Sequence, residues 1–317
     1  MSDHRSTPEI ATRPGISALV VTWNNEATLA ECLGALRREL PPDSEVLTFD
    51  NDSADESPRI AESCGTRVHV NDSNIGFAAG MNRLASEARG EVLVLVNPDV
   101  FVQKGAIASL LSHVPPGNRR KIVGGLLYGS NNEPEPTSAR PFPTASGLAL
   151  WLLTHRRKRW AVPRTAKKVQ AISGAFFATT RELWSELGGF DEGYRHSGED
   201  LDLCWRAERG GASVWFEPAA RATHLGGASV RQAPLEIDAL RLSGALRLVR
   251  KREGAAAAAL LRSVLLLRTL IVLVLDALRV HRLSDPRRRR ARALARLAVL
   301  GERDARLQLP VEPQRLA

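Results

Sequence analysis

Five consecutive apolar residues, Val92-Leu93-Val94-Leu95-Val96, followed at once by Asn97-Pro98-Asp99, restrict the fold more than any other segment. A short run with no polar alternation, rich in β-branched residues, reads as a strand buried on both faces. Such strands belong to parallel sheets covered by helices. Pro98 cannot continue a central strand, so Asn97 and Asp99 fall on the turn beyond its carboxyl end. Open α/β sheets bind their ligands at that edge.

The same rhythm runs from residue 16 to about 128. It predicts strands over 16–22, 46–49 (ending at Asp50), 67–70 and 91–96, and helices over 26–40, 57–64 and 77–88. Three polar strand ends then converge: Thr22-Trp23-Asn24-Asn25, Asp50-Asn51-Asp52-Ser53 and Asn97-Pro98-Asp99. One polar strand end is an ordinary cap or turn, whereas three in register favour a ligand crevice. Residues 128–143, rich in Gly, Asn, Glu and Pro, read as a long loop, continued by an irregular basic segment around Arg156. Order returns with a strand over 169–179, a helix over 199–209 and a strand over 213–216.

A second acidic signature, Gly198-Glu199-Asp200-Leu201-Asp202-Leu203-Cys204-Trp205-Arg206, follows Gly189-Phe190-Asp191. It clusters carboxylates at a helix start, where the dipole and free amides favour anions. Like-charge crowding should raise at least one pKa. The plainer reading is N-terminal capping, with Asp202 and Arg206 paired on the surface.

No Gly-x-Gly-x-x-Gly follows the first strand and no P-loop occurs, so a bound nucleotide would have its phosphates neutralised by a metal. Asp99 with waters and phosphate oxygens suits Mg²⁺ or Mn²⁺. Cys32, Cys64 and Cys204 show no metal or disulfide spacing and read as reduced cytoplasmic thiols. The polar residues 1–14 read as a flexible tail without a secretory signal. The net charge of +9 bunches at residues 155–159 and 287–290, with Arg292 and Arg296 beyond. Residues 255–282 are Ala- and Leu-rich, but Arg262, Arg268 and Asp276 argue against a simple membrane span. At helical spacing Arg262, Arg268, Thr269, Asp276 and Arg279 form a stripe roughly 120° wide. The segment therefore reads either as a helix on an anionic bilayer surface or as one packed on protein.

Taken together, Val20-Val21-Thr22-Trp23-Asn24, Asp50-Asn51-Asp52-Ser53-Ala54-Asp55, Asn74-Ile75-Gly76-Phe77-Ala78-Ala79-Gly80-Met81-Asn82, Asn97-Pro98-Asp99, Ser173-Gly174-Ala175-Phe176-Phe177, Gly188-Gly189-Phe190-Asp191-Glu192, Gly198-Glu199-Asp200-Leu201-Asp202 and His224-Leu225-Gly226-Gly227 carry a resemblance. Over about residues 16–229 the chain resembles the inverting glycosyltransferases of family 2, most of all a bacterial rhamnosyltransferase branch. That resemblance implies an α/β GT-A fold, a Rossmann-like mixed sheet, over 15–232, with a helical C-terminal extension over 233–317.

It also implies roles. Thr22 and Asn24 would line the nucleoside pocket, and Asp50 would accept the N3 hydrogen of a pyrimidine. Asn74, Gly76 and Asn82 would lie along the ribose and diphosphate. Asp99 would be the surviving metal-binding acid of an Asp-x-Asp element, with Asn97 standing where the first acid usually does, and His224 would complete the metal shell. Asp200 would be the general base, with Glu199 as the alternative. The implied donor is dTDP-L-rhamnose, with UDP-sugars next. The implied acceptor is a polyprenyl-diphosphate-linked saccharide at the inner face of the cell membrane, for cell-wall or surface-polysaccharide synthesis. A homo-oligomer is compatible with this reading. A sugar-nucleotide nucleotidyltransferase and a non-catalytic binding relative are the competing classes. Nothing in the carboxylates or aromatics points to nucleic acid.

Overall fold

The structure, a computed structural model, describes residues 15–114, 120–154, 160–194, 197–226, 234–278, 294–295 and 297–299. The N-terminal tail, both basic runs, Arg279 and the boundary expected at 232/233 lie outside the described residues.

β1 (Ile16–Thr22), β2 (Glu45–Asp50), β3 (Arg67–Val70) and β4 (Val92–Val96) form the parallel half of a sheet ordered β3-β2-β1-β4. Helices α1 (Glu26–Glu39), α2 (Ser57–Ser63) and α3 (Phe77–Glu87) connect them. As the apolar runs require, β1, β2 and β4 are buried on both faces, whereas β3 at the sheet edge is largely exposed. Leu19, Val21 and Phe49 pack with Met81 and Leu84 on one side, while Ala18, Val20 and Val94 pack with Leu29 and Leu33 on the other.

Beyond β4 the sheet changes sense. β10 (Phe176–Thr180) lies antiparallel between β4 and β6 (Lys121–Tyr128), and β11 (Ser213–His224), flanked by β5 (Val100–Val102) and the short β8 (Lys167–Lys168), completes the edge. The mixed α/β sheet and helical C-terminal part therefore stand as expected. Three segments differ in detail. The strand expected over 169–179 is broken into β9 (Ala171–Ile172) and β10 by a turn at Ser173-Gly174-Ala175. The strand starting at Ser213 continues to His224 through an irregularity between Glu217 and Arg221. The expected loop over 128–143 folds back on β6, and its last part, β7 (Ala139–Arg140), pairs with β9. Short pairings of this kind depend on distant partners, which local composition does not reveal.

α4 (Ala106–Leu111) and α6 (Arg181–Leu187) pack on the sheet, α6 being capped by Thr180, whose hydroxyl accepts from the Leu183 amide at 3.1 Å. α5 (Ala145–Thr154) joins α8 (Pro234–Glu253) and α9 (Ala255–Ala277) in a separate apolar cluster around Leu152, Leu246, Leu261 and Leu265. α9 is long and apolar enough to cross a membrane by length and composition. The expected polar stripe is not its outer face. Thr269 is buried, and Arg262 donates to the carbonyls of Ala298 and Val299. Leu260, Leu267, Leu270, Ile271, Val274 and Leu278 are exposed instead.

α8 is tied to α7 (Glu199–Arg209) by charge. Asp202 is wholly buried, accepting from Arg206 (2.6 Å), Lys251 (2.5 Å) and the Tyr194 hydroxyl (3.2 Å), so the expected surface pair is an interior network. Arg247 and Lys251 also hold Asp191. Burial alone would raise the Asp191 carboxyl, but these two cations hold it down at about 2. Its stabilising contribution is therefore present above about pH 4 and is lost as pH falls toward 2. Asp202→Ala removes the buried carboxylate shared by Arg206 and Lys251 and is expected to cost about 3 kcal/mol, the low end for breaking a buried pair, because Arg206 keeps the Leu187 and Gly189 carbonyls and Lys251 keeps Asp191. A denaturant midpoint close to wild type at pH 7 would refute that.

Candidate active site

The parallel register of β1 and β2 ends at Thr22 opposite Asp50, and the Asn51 amide donates to the Thr22 carbonyl at 2.9 Å. The two following turns are laced together. The Asn24 amide donates to Ser53 Oγ (2.9 Å), and the Ala54 amide donates to Asn24 Oδ1 (2.8 Å). Asp50 is buried; its Oδ2 accepts from the Ser53 amide at 2.9 Å, while Oδ1 finds no partner among the described residues. Burial pushes its carboxyl pKa up, and the Ser53 bonds only partly oppose this. A buried acceptor left unpaired is the feature a ligand donor would satisfy.

Asn74 Oδ1 accepts from the Gly76 amide (3.0 Å), and the Ile75 amide donates to Asn51 Oδ1 (2.8 Å), which fastens this turn to the end of β2. Asn82 is differently employed. Its side chain donates to the Phe190 carbonyl and accepts from the Phe190 amide, both at 2.9 Å, and also donates to Glu192. It holds the 189–192 turn, where Gly189 has φ 66° and a Cβ would lie 2.3 Å from Asn82 Oδ1.

Asp99 and His224 meet because β5 pairs with the end of β11, His224 opposite Val100, while the Leu225 amide donates to the Asp99 carbonyl at 3.0 Å. His224 Nε2 lies 3.5 Å from Asp99 Oδ1, and Nδ1 lies 3.1 Å from Glu135. Burial would lower the imidazole pKa, but hydrogen bonds and charge from Asp99 and Glu135 outweigh it and push it up to about 10. A carboxylate beside an imidazole fits a divalent cation whose other positions are taken by water and phosphate oxygens. Among the described residues no group of three His, Cys, Asp or Glu forms a complete cage, so Asp99 and His224 make only a partial shell. Asn97 adds a buried Oδ1 without a partner among the described residues.

Asp200 reaches the same edge by another route. Phe176 of β10 pairs with Val96 of β4, and the Asn97 amide donates to the Ala175 carbonyl at 2.9 Å. The turns at 97–99 and 173–175 are thus adjacent. The Gly174 amide donates to Asp200 Oδ2 at 3.1 Å, and a Cβ on Gly174 would come within 3.1 Å of Asp200 Cβ. Asp200 Oδ2 also accepts from Arg140 at 2.7 Å, and Oδ1 accepts from the Leu201 amide at 2.7 Å. Glu199 is buried with its Oε2 unpaired among the described residues; burial first, then the Asp200 charge, raises its pKa. Glu199 keeps its proton to higher pH, so two adjacent acids in unlike environments are suited to different tasks. Sequence reasoning missed Arg140 and Glu135, both within the stretch read as loop.

An open mixed sheet with acids gathered at one edge has the architecture of GT-A glycosyltransferases. GalNAc-T7, solved with UDP, GalNAc and Mn²⁺, superposes with a TM-score of 0.58 at 17% identity, over 75% of this chain and 48% of that one. Glucosyl-3-phosphoglycerate synthase of Mycobacterium tuberculosis, solved with Mn²⁺, UDP and glucosyl-3-phosphoglycerate, superposes at 0.55 and 18% identity, over 77% and 82%. The family model for glycosyl transferase family 2 matches residues 17–187, and the chain belongs to that family. It is similar to an N-acetylglucosaminyl-diphospho-decaprenol L-rhamnosyltransferase of M. tuberculosis, with 26% identity over 66% of this chain and 75% of the relative.

Proposed function

We propose that this glycosyltransferase moves L-rhamnose from dTDP-L-rhamnose, with inversion, onto a hydroxyl of a polyprenyl-diphosphate-linked saccharide in cell-wall or surface-polysaccharide synthesis. The observation that carries the reading is the shared edge where Asp99, beside His224, stands on the 97–99 turn, which is bonded to the 173–175 turn whose Gly174 amide donates to the buried Asp200. Thr22, Asn24 and Asp50 hold the nucleoside, the unpaired Asp50 Oδ1 taking the N3 hydrogen of the base. Asn74, Gly76 and Asn97 line the ribose and diphosphate, and Asn82 supports them through the 189–192 turn. Asp99 and His224 would hold the divalent cation, Mn²⁺ ahead of Mg²⁺ because imidazole is a ligand. When bound, that cation offsets negative charge on the leaving diphosphate. Asp200 accepts the proton of the acceptor hydroxyl as its oxygen bonds to the anomeric carbon on the face opposite the departing diphosphate.

The choice of rhamnose and of a lipid-linked acceptor is supported by the 26% identical relative. Thymine and uracil both present an N3 hydrogen, so UDP-sugars are the second donor class. The test is a donor panel with Mn²⁺ and a polyprenyl-diphosphate-linked saccharide. Acceptor-dependent release of dTDP supports the reading, UDP release selects the second class, and pyrophosphate exchange selects a nucleotidyltransferase.

The outward leucine face of α9 supports attachment to the membrane surface. Replacing Leu267 and Ile271 together by Glu is expected to reduce sedimentation with anionic liposomes several-fold while leaving the far-ultraviolet dichroism unchanged. Undiminished sedimentation would overturn the attachment. A dimer-to-monomer shift in the same variant would instead assign that face to a second copy.

A further inference from the structure

We infer that Glu135 and Arg140, five residues apart on the strap that follows β6, are positioning residues for opposite sides of the site: Glu135 for His224 and Arg140 for Asp200. The inference rests on the metal and base assignments proposed above and adds the element that sets both.

The strap is pinned where it leaves the sheet. The Gly129 amide donates to the Glu133 carbonyl (2.9 Å), the Glu135 amide to the Leu127 carbonyl (2.8 Å), and the Leu127 amide to Ser138 Oγ (3.0 Å). Ala139 and Arg140 then pair with Ile172 and Ala171, directly before the turn that carries Gly174. Both charged side chains are largely enclosed, at 22% and 20% exposure, so neither is a solvated loop residue.

Glu135 bonds Nδ1 of His224, which leaves Nε2 directed at Asp99. A carboxylate on the far nitrogen of a ligating histidine fixes its ring orientation and tautomer. Arg140 is enclosed and paired with Asp200. Its Nε is buried without a partner among the described residues, while its Nη2 lies 2.7 Å from Asp200 Oδ2. Glu199, Asp202 and Cys204 stand on the same helix as Asp200. Among the bonds to Asp200, Arg140 therefore supplies the charge-assisted one from outside α7, and the Gly174 and Leu201 amides supply the neutral ones.

The test compares full-length Glu135→Gln, Arg140→Met and Arg140→Lys with wild type and His224→Ala. Each is titrated with Mn²⁺ alone by electron paramagnetic resonance, and kcat and KM are then measured. Glu135→Gln is expected to weaken Mn²⁺ binding by about 10- to 100-fold and leave acceptor KM unchanged. Arg140→Met is expected to lower kcat by at least about tenfold with Mn²⁺ affinity and donor KM within about twofold, and Arg140→Lys to recover part of kcat. If His224→Ala loses Mn²⁺ while Glu135→Gln binds like wild type, the Glu135 role is overturned and the metal site stands. If His224→Ala is also silent, the metal site itself fails and the Glu135 role with it. If Arg140→Met keeps wild-type kcat, or if every parameter of both strap variants falls together with thermal stability, the strap has only a structural role.

Discussion

Asp200→Asn is expected to lower kcat by about 10²–10⁴-fold, the contribution of a well-placed general base, while donor affinity and Mn²⁺ affinity change by less than about twofold. Asparagine keeps the volume that packs against Gly174 and keeps an oxygen for the Arg140 guanidinium, but it cannot take a proton from an alcohol. The measurement is single-turnover transfer at saturating donor, alongside a binding titration with the nucleoside diphosphate. A wild-type single-turnover rate would remove Asp200 as base. Glu199→Gln belongs in the same series. Burial and the Asp200 charge keep Glu199 protonated to higher pH, so its replacement is expected to cost less than that of Asp200. A larger loss for Glu199→Gln would reverse the assignment.

Asp99→Ala is expected to reduce turnover by about 10²-fold or more, because a bound cation supplies several kcal/mol of charge stabilisation and each 1.36 kcal/mol is about tenfold in rate. The loss should appear in binding as well. Titration of the nucleoside diphosphate with and without Mn²⁺ should show a large cation-dependent gain for wild type and little for the variant. The pairing of Asp99 with His224 at 3.5 Å is the geometric basis. An Asp99→Ala titration that overlays wild type would place the cation elsewhere and leave Asn97-Pro98-Asp99 as an ordinary turn.

Much of the candidate site was legible in position because several of its residues sit at boundaries that local pattern marks. Thr22, Asp50 and Asn97 end apolar runs, and Asp200 begins a helix whose periodicity is clear; all four are where the pattern put them. Asn82 was legible in position but not in employment, since its bonds to Phe190 cross 108 positions of chain. Asp202 read as a surface partner of Arg206 because an i,i+4 pair usually is one. It is interior because α8, from beyond residue 233, closes over it. Arg140 and Glu135 carried no signal, being an arginine and a glutamate among Gly, Asn and Pro.

Alternating apolar strands and amphipathic helices, with acids just beyond the strand ends, set the α/β class and the edge of the sheet at which the candidate site lies. Those are short-range facts: a period of two or 3.6 residues and a proline that stops a ladder are decided within a few positions. The tertiary structure alone decided that β10 enters antiparallel beside β4, which sets the Gly174 turn against the Asn97 turn and so brings Asp200 to the Asp99 edge. It alone decided which charges face Asp200 and His224, because Arg140 and Glu135 meet them only where β6, β7, β9 and β11 pack together. Contacts between residues 60 and 89 positions apart follow from packing, and no local pattern encodes them.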